Sequence, residues 1–190
     1  MQKLLKQIKS CTICAAHLTE GVNPILSASP QSKIVLIGQA PGSIVHRTGI
    51  PWDDRSGDRL RDWMAVSKND FYREELFALI PMGFCYPGKG KSGDLAPRPE
   101  CAPQWHQPLL SEIKAKQLIL LIGSYAQKYY LGDRAKNTLT ETVKNYTEYL
   151  PQFLPLPHPS PRNTIWLKKN PWFEESILPI LRKRVQELNT

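Results

Sequence analysis

Four short apolar runs set what this chain can fold into: Lys33-Ile34-Val35-Leu36-Ile37, Leu76-Phe77-Ala78-Leu79-Ile80, Leu118-Ile119-Leu120-Leu121-Ile122 and Phe153-Leu154-Pro155-Leu156. Each is continuously apolar rather than alternating, the pattern of a strand buried on both faces. Two of them end in Leu-Ile-Gly, at Gly38 and Gly123. Helical patterns lie between them. They cover 3–9, 56–66 with Leu60, Trp63 and Met64 on one side, 102–115, 124–131 and 137–148. A last helix starts at Asn170-Pro171, turns Phe173, Ile177, Ile180, Leu181 and Val185 inward, and kinks at Pro179. Residues 21–32 and 86–99 read as loops. Strands alternating with helices predict an α/β fold, a three-layer αβα sandwich around a four-stranded parallel sheet. With 190 residues, one domain spanning 1–190 is expected.

In open α/β sheets, ligands bind beyond the carboxyl ends of the strands. The segments after Ile37, Ile80, Ile122 and Leu156 are therefore expected to line one cleft. Composition bears on the occupant. Lys and Arg number 25 against 17 Asp and Glu, a net charge of +8, which points to a polyanion and to nucleic acid first. The longest aliphatic run, Leu118 to Ile122, is far short of the ~20 apolar residues of a membrane span. The first residues show no apolar signal-peptide segment. The expectation is a soluble cytoplasmic protein with no membrane partner, monomeric by default.

The cysteines are Cys11, Cys14, Cys85 and Cys101. A reducing cytosol disfavours disulfides, so a metal reading gains weight. Cys11-Thr12-Ile13-Cys14 brings two sulfurs together from a single turn, and two more complete four thiolates. Four thiolates suit Zn²⁺ or a [4Fe–4S] cluster. A zinc ribbon more usually shows a second C-x2-C, whereas the 15 residues between Cys85 and Cys101 suit a larger cluster. Four unrelated core thiols are the plain alternative.

After the first strand comes Gly38-Gln39-Ala40-Pro41-Gly42. Glycines there let backbone approach a ligand closely, yet neither G-x-x-x-x-G-K-[ST] nor G-x-G-x-x-G is present. After the fourth strand comes His158-Pro159-Ser160-Pro161-Arg162-Asn163, a proline-fixed loop. Together the two loops resemble motifs 1 and 2 of the uracil-DNA glycosylase superfamily. The cysteine set resembles the [4Fe–4S] ligands of its family 4 bacterial and archaeal members. Ile122-Gly123-Ser124-Tyr125-Ala126 is similar to that family's third strand and helix. The resemblance spans residues 8 to 165.

It implies a uracil-DNA glycosylase-like fold and hydrolysis of the N-glycosidic bond of a uracil, or a related deaminated base, flipped out of single- or double-stranded DNA. His158 would donate to the base O2 as an electrostatic catalyst. Gly38, Ala40, Pro41, Gly42, Ser124 and Ser160 would line the substrate, with amides near Gln39 and Ala40 as further donors. Trp52, in Pro51-Trp52-Asp53, would stack on the base. Arg162 would wedge into the DNA, helped by Ile165 and Trp166. Lys168 and Lys169, with Lys89 and Lys91 of the Gly-rich loop, would meet phosphates. Cys11, Cys14, Cys85 and Cys101 would hold the cluster as a structural anchor.

The chain departs from family 4 at two places. Gln39 replaces a glutamate and orients a water without taking its proton. Asp53 or the adjacent Asp54 would substitute, although both also suit helix capping. Pro81 stands where an asparagine would read the base edge, which leaves hypoxanthine beside uracil as a candidate lesion. The loop at 86–99 has no histidine, so no covalent base adduct is expected. Two other readings compete: a catalytically silent DNA- or base-binding protein of the same fold, and a different α/β nucleotide enzyme whose thiolates hold zinc.

Overall fold

The computed structural model describes residues 1–189; Thr190, the last residue of the expected domain, lies outside the described residues. The chain runs α1 (Gln2–Lys9), β1 (Ile34–Ile37), α2 (Ser43–Thr48), α3 (Arg55–Met64), α4 (Lys68–Phe71) and β2 (Phe77–Leu79). A small hairpin follows, β3 (Lys89–Gly90) and β4 (Gly93–Asp94), then α5 (Cys101–Glu112), β5 (Leu118–Ile122), α6 (Ser124–Leu131), α7 (Leu139–Lys144) and β6 (Phe153–Leu156). Helix α8 (Thr164–Lys169) and, after a π-helical turn at Phe173–Ile177, helix α9 (Leu178–Leu188) complete it.

The four apolar runs form one sheet in the order β2-β1-β5-β6, parallel throughout. Ile34, Leu36, Leu118, Leu120, Ile122, Leu154 and Leu156 pack on one face against Leu60 and Trp63 of α3, Val143 of α7, and Leu181 and Val185 of α9. Val35, Ile37, Ala78, Ile119, Leu121 and Phe153 pack on the other against Ile8 of α1, Leu109 of α5 and Ala126 of α6. That two-residue alternation, with apolar side chains on both sides, is why the runs are continuous and why helices must cover both faces. Pro155 is tolerated because β6 is an edge strand. The α/β sandwich expected from the sequence is the observed fold.

Several short elements differ from the expected pattern. Helices α2 and α8 and the β3–β4 hairpin lie in segments read as loop or left unassigned. The 137–148 helix shortens to α7, opened by a capping box between Thr138 and Glu141. Pro179 sits at the start of α9, directly after the π-helical turn at Phe173–Ile177, the kind of irregularity in which a helix absorbs a proline.

Strand order reverses between β1 and β5. The candidate site lies beyond the carboxyl ends of the strands there, between the loops after β1 and β6.

Candidate active site

The loop after β1 is stitched to the extension of β2. Met82 N–H donates to Gly38 O at 2.9 Å and Gly83 N–H to Gln39 O at 3.0 Å. The amides of Gln39 and Ala40 find no acceptor among the described residues, so they remain available donors. Gly38 is required by its neighbour: a Cβ there would lie 2.6 Å from Trp52 Cζ2. Trp52 itself has φ +58°, a left-handed conformation rare for a bulky residue. Its surroundings enforce that conformation. Arg61 Nη1 donates to Trp52 O at 3.3 Å and Tyr72 Oη to Pro51 O at 2.9 Å. Gly57 packs so closely beneath that a Cβ would meet Trp52 O at 1.8 Å. The indole is thereby laid beside the His158 ring, with centroids 5.8 Å apart and planes at 29°.

The loop after β6 fixes His158 just as firmly. Ser160 N–H donates to His158 Nδ1 at 3.2 Å, and Asn163 Nδ2 donates to His158 O at 2.7 Å. An Nδ1 that accepts leaves the proton on Nε2, so the imidazole is a neutral Nε2–H donor. Burial pushes the His158 pKa below the usual value; the Asp54 carboxylate pulls in the opposite direction and does not prevail. Arg59 Nη1 donates to Ser160 O at 3.0 Å, tying α3 to this loop.

Between the loops lie two adjoining cavities. The inner one is lined by Gly38, Gln39, Trp52, Pro81 and His158, among others, with an apolar wall of Ile25 and Val45. The outer one is larger and opens past Ser92, Asp94, Ser160 and Arg162. Gln39, Ala40, Pro41, Gly42, Asp54, Ser56 and His158 border both.

The structure thus brings His158, Gln39, Gly38, Ala40, Pro41, Gly42 and Trp52 to one pocket, with Ser160 and Arg162 at its mouth. Arg162 reaches across that mouth, where Nη1 donates to Ser92 O at 3.3 Å. Ser124 is exposed and lines neither cavity, but it follows Gly123, whose position leaves a Cβ 3.6 Å from His158 Cβ. Asp53 is not brought in. Its carboxylate pairs with Lys68 Nζ at 3.0 Å, outside the pocket. Asp54 lines it instead, capping α3 by accepting from Gly57 N–H at 2.9 Å. Asp94, held by Tyr86 Oη at 3.3 Å, is a further cleft residue that the sequence reading missed, since it follows a Gly-rich stretch with no motif. Ile165 is exposed, whereas Trp166 is partly buried against Trp172 and Phe173, with Nε1 donating to Thr140 Oγ1 at 2.8 Å. Lys89, Lys91, Lys168 and Lys169 are all exposed.

The four cysteines converge elsewhere. Cys11, Cys14 and Cys101 border one small recess with Glu100 and Trp105. Cys85 packs with Cys14 and Leu18. All are free thiols. Burial, reinforced by the neighbouring sulfurs, pushes the Cys14 and Cys85 thiols up, and Cys101 up to about 12. Phe84 N–H donates to Cys101 Sγ at 3.3 Å, the kind of amide contact that supports a metal-bound thiolate. Among the described residues, no group of three or more Cys, His, Asp or Glu side chains is spaced to hold a single metal ion. Four thiols brought to one region are a donor set that a [4Fe–4S] cluster or Zn²⁺ accepts.

The family model described as the uracil DNA glycosylase superfamily matches residues 27–182. The chain belongs to the uracil-DNA glycosylase superfamily. A relative named type-4 uracil-DNA glycosylase, from Thermotoga maritima, is 25% identical over 164 residues, covering 84% of this chain and 81% of that protein. Pro81 forms part of the wall of the inner cavity. The Pro81 carbonyl bonds His106 Nε2 at 3.0 Å, and His106 Nδ1 bonds Tyr130 Oη at 2.6 Å. With its carbonyl engaged there, Pro81 offers the pocket no side-chain donor.

Proposed function

We propose that this protein is a monofunctional DNA glycosylase that hydrolyses the N-glycosidic bond of uracil, or a related deaminated base, flipped from DNA into the inner cavity. The observation that carries the reading is His158, a neutral imidazole of fixed tautomer that lines the same cavity as Gln39 and Ala40. In glycosidic hydrolysis the base leaves as an anion while the sugar acquires positive charge. A preorganised Nε2–H donor that gains most from the charged leaving group lowers the barrier selectively. Trp52 forms a flat wall for a stacked base, and Arg162 occupies the mouth through which DNA would enter. The exposed lysines around it suit phosphate contacts.

Cys11, Cys14, Cys85 and Cys101 would hold a [4Fe–4S] cluster, which supplies a structural cross-link rather than a step of the reaction. The protein is read as a cytoplasmic monomer; among the described residues no helix is long and apolar enough to cross a membrane. Gln39 and Pro81, which lack a carboxylate and a side-chain donor, favour one second reading: a base-binding protein of the same fold without activity. Incubation with a single-stranded oligonucleotide containing one deoxyuridine separates the two. Release of free base, lowered about 10²–10³-fold in His158→Ala with DNA affinity retained, supports the glycosylase. Tight binding without release of uracil, hypoxanthine or any other lesion base supports the binder.

A further inference from the structure

We propose that the indole Nε1–H of Trp105 donates a hydrogen bond to a sulfur of the metal centre held by Cys11, Cys14, Cys85 and Cys101, an assignment that rests on the [4Fe–4S] reading above. Trp105 follows Cys101 by four residues on α5, so the two side chains share one face of the helix. Trp105 borders the same recess as Cys11, Cys14 and Cys101. Its Nε1 is buried and has no hydrogen-bond partner among the described residues. Trp52, Trp63, Trp166 and Trp172 all pack on the opposite face of the sheet.

A buried N–H without an acceptor is rare, because it gives up its bonds to water and gains none in return. The recess offers few side-chain acceptors. Glu100 borders it, but Arg98 Nε and Nη2 hold its two oxygens and neither meets the indole. Ile13 contributes only hydrocarbon. The cysteine sulfurs remain. A thiol is a weak acceptor, whereas metal binding removes its proton and leaves the sulfur anionic, the acceptor that such a donor suits. Phe84 N–H already donates to Cys101 Sγ at 3.3 Å. Trp105 adds a donor from a side chain to that backbone donor. Hydrogen bonds to a cluster's sulfurs favour its reduced state, which carries one more negative charge, and so raise its reduction potential. They also hold the ligands in place, and with them the wall that the cysteine segment shares with the pocket.

The test uses the full chain purified with its metal, its tryptophans labelled with ¹⁵N at the indole nitrogen alone. The protein is reduced with dithionite and measured by electron–nuclear double resonance. The expected result is a ¹⁵N coupling to the reduced cluster in wild type that is absent from Trp105→Phe, which keeps an aromatic ring and lacks the N–H. Trp105→Phe is also expected to show a more negative reduction potential and to hold its iron about 10–100-fold less well against a chelator. Should that variant fold poorly, the wild-type coupling decides by itself, since packing of the ring without a bond produces none. A wild-type cluster without indole ¹⁵N coupling, or a folded Trp105→Phe protein with the wild-type potential, overturns the proposal while leaving the cluster reading intact. A colourless wild-type protein that holds zinc, or no metal, overturns the cluster reading and the proposal with it.

Discussion

At the scale of single residues, the pocket is shaped by what cannot be larger. Gly57 lies in the first turn of α3 with Trp52 O where its Cβ would be. Alanine would ordinarily gain up to ~1 kcal/mol over glycine in a helix, but here it must displace backbone. Gly57→Ala is therefore expected to lose about 1–3 kcal/mol of stability, read as a lower urea midpoint; an unchanged or higher midpoint contradicts the packing. Gly38→Ala meets only the indole edge, so it should disturb base release more than stability. The same crowding explains a limit of the sequence. Two adjacent acids, Asp53 and Asp54, look equivalent in one dimension. The left-handed Trp52 backbone immediately before them turns Asp54 inward and Asp53 toward Lys68, and nothing in the residue types announces that turn.

At the scale of elements, α5 and α6 meet β2 through a buried polar contact. His106 is 1% exposed, bonded between Tyr130 Oη and Pro81 O, and stacked on Phe84. Burial pushes its pKa down to about 4. An unfolded histidine titrates near 6.5, so between those values the unfolded chain binds more protons than the folded one. Stability is then fully present above about pH 6.5 and falls as pH drops toward 4. The shift corresponds to roughly 3 kcal/mol. His106→Gln should flatten this portion of the stability–pH curve in urea titrations; an unchanged slope would mean that His106 is not buried neutral. The four strands were legible because each is a continuous apolar run of four or five residues. Helices α2 and α8 and the β3–β4 hairpin were not. They are one or two turns, or two-residue strands, held by contacts distant in sequence such as Arg59 to Ser160 and Arg162 to Ser92.

At the scale of the whole molecule, the cysteine cluster and the pocket share a wall. The segment after Cys11 and Cys14 continues to Ile25, whose N–H donates to Phe84 O at 2.8 Å and whose side chain lines the inner cavity. Phe84 in turn precedes Cys85 and bonds Cys101. A cluster joining these cysteines would pin that wall. Cys85→Ser is expected to lose iron and the broad visible absorption of the purified protein, along with stability; undiminished iron in a folded variant contradicts the ligand set. The motif loops and the cysteine set could be found in the sequence because their spacing and residue types are distinctive. Their arrangement around one switch point, and the contribution of Ile25, Val45 and Asp94, follow only from the folded chain.

The most direct test of the account is the release of free base from a deoxyuridine-containing single strand by the purified protein, compared with His158→Ala. Release by the wild type, and its loss by two or more orders of magnitude in the variant at unchanged DNA affinity, is the predicted result. Equal release by both proteins would contradict the assignment of His158, and release by neither would contradict the function.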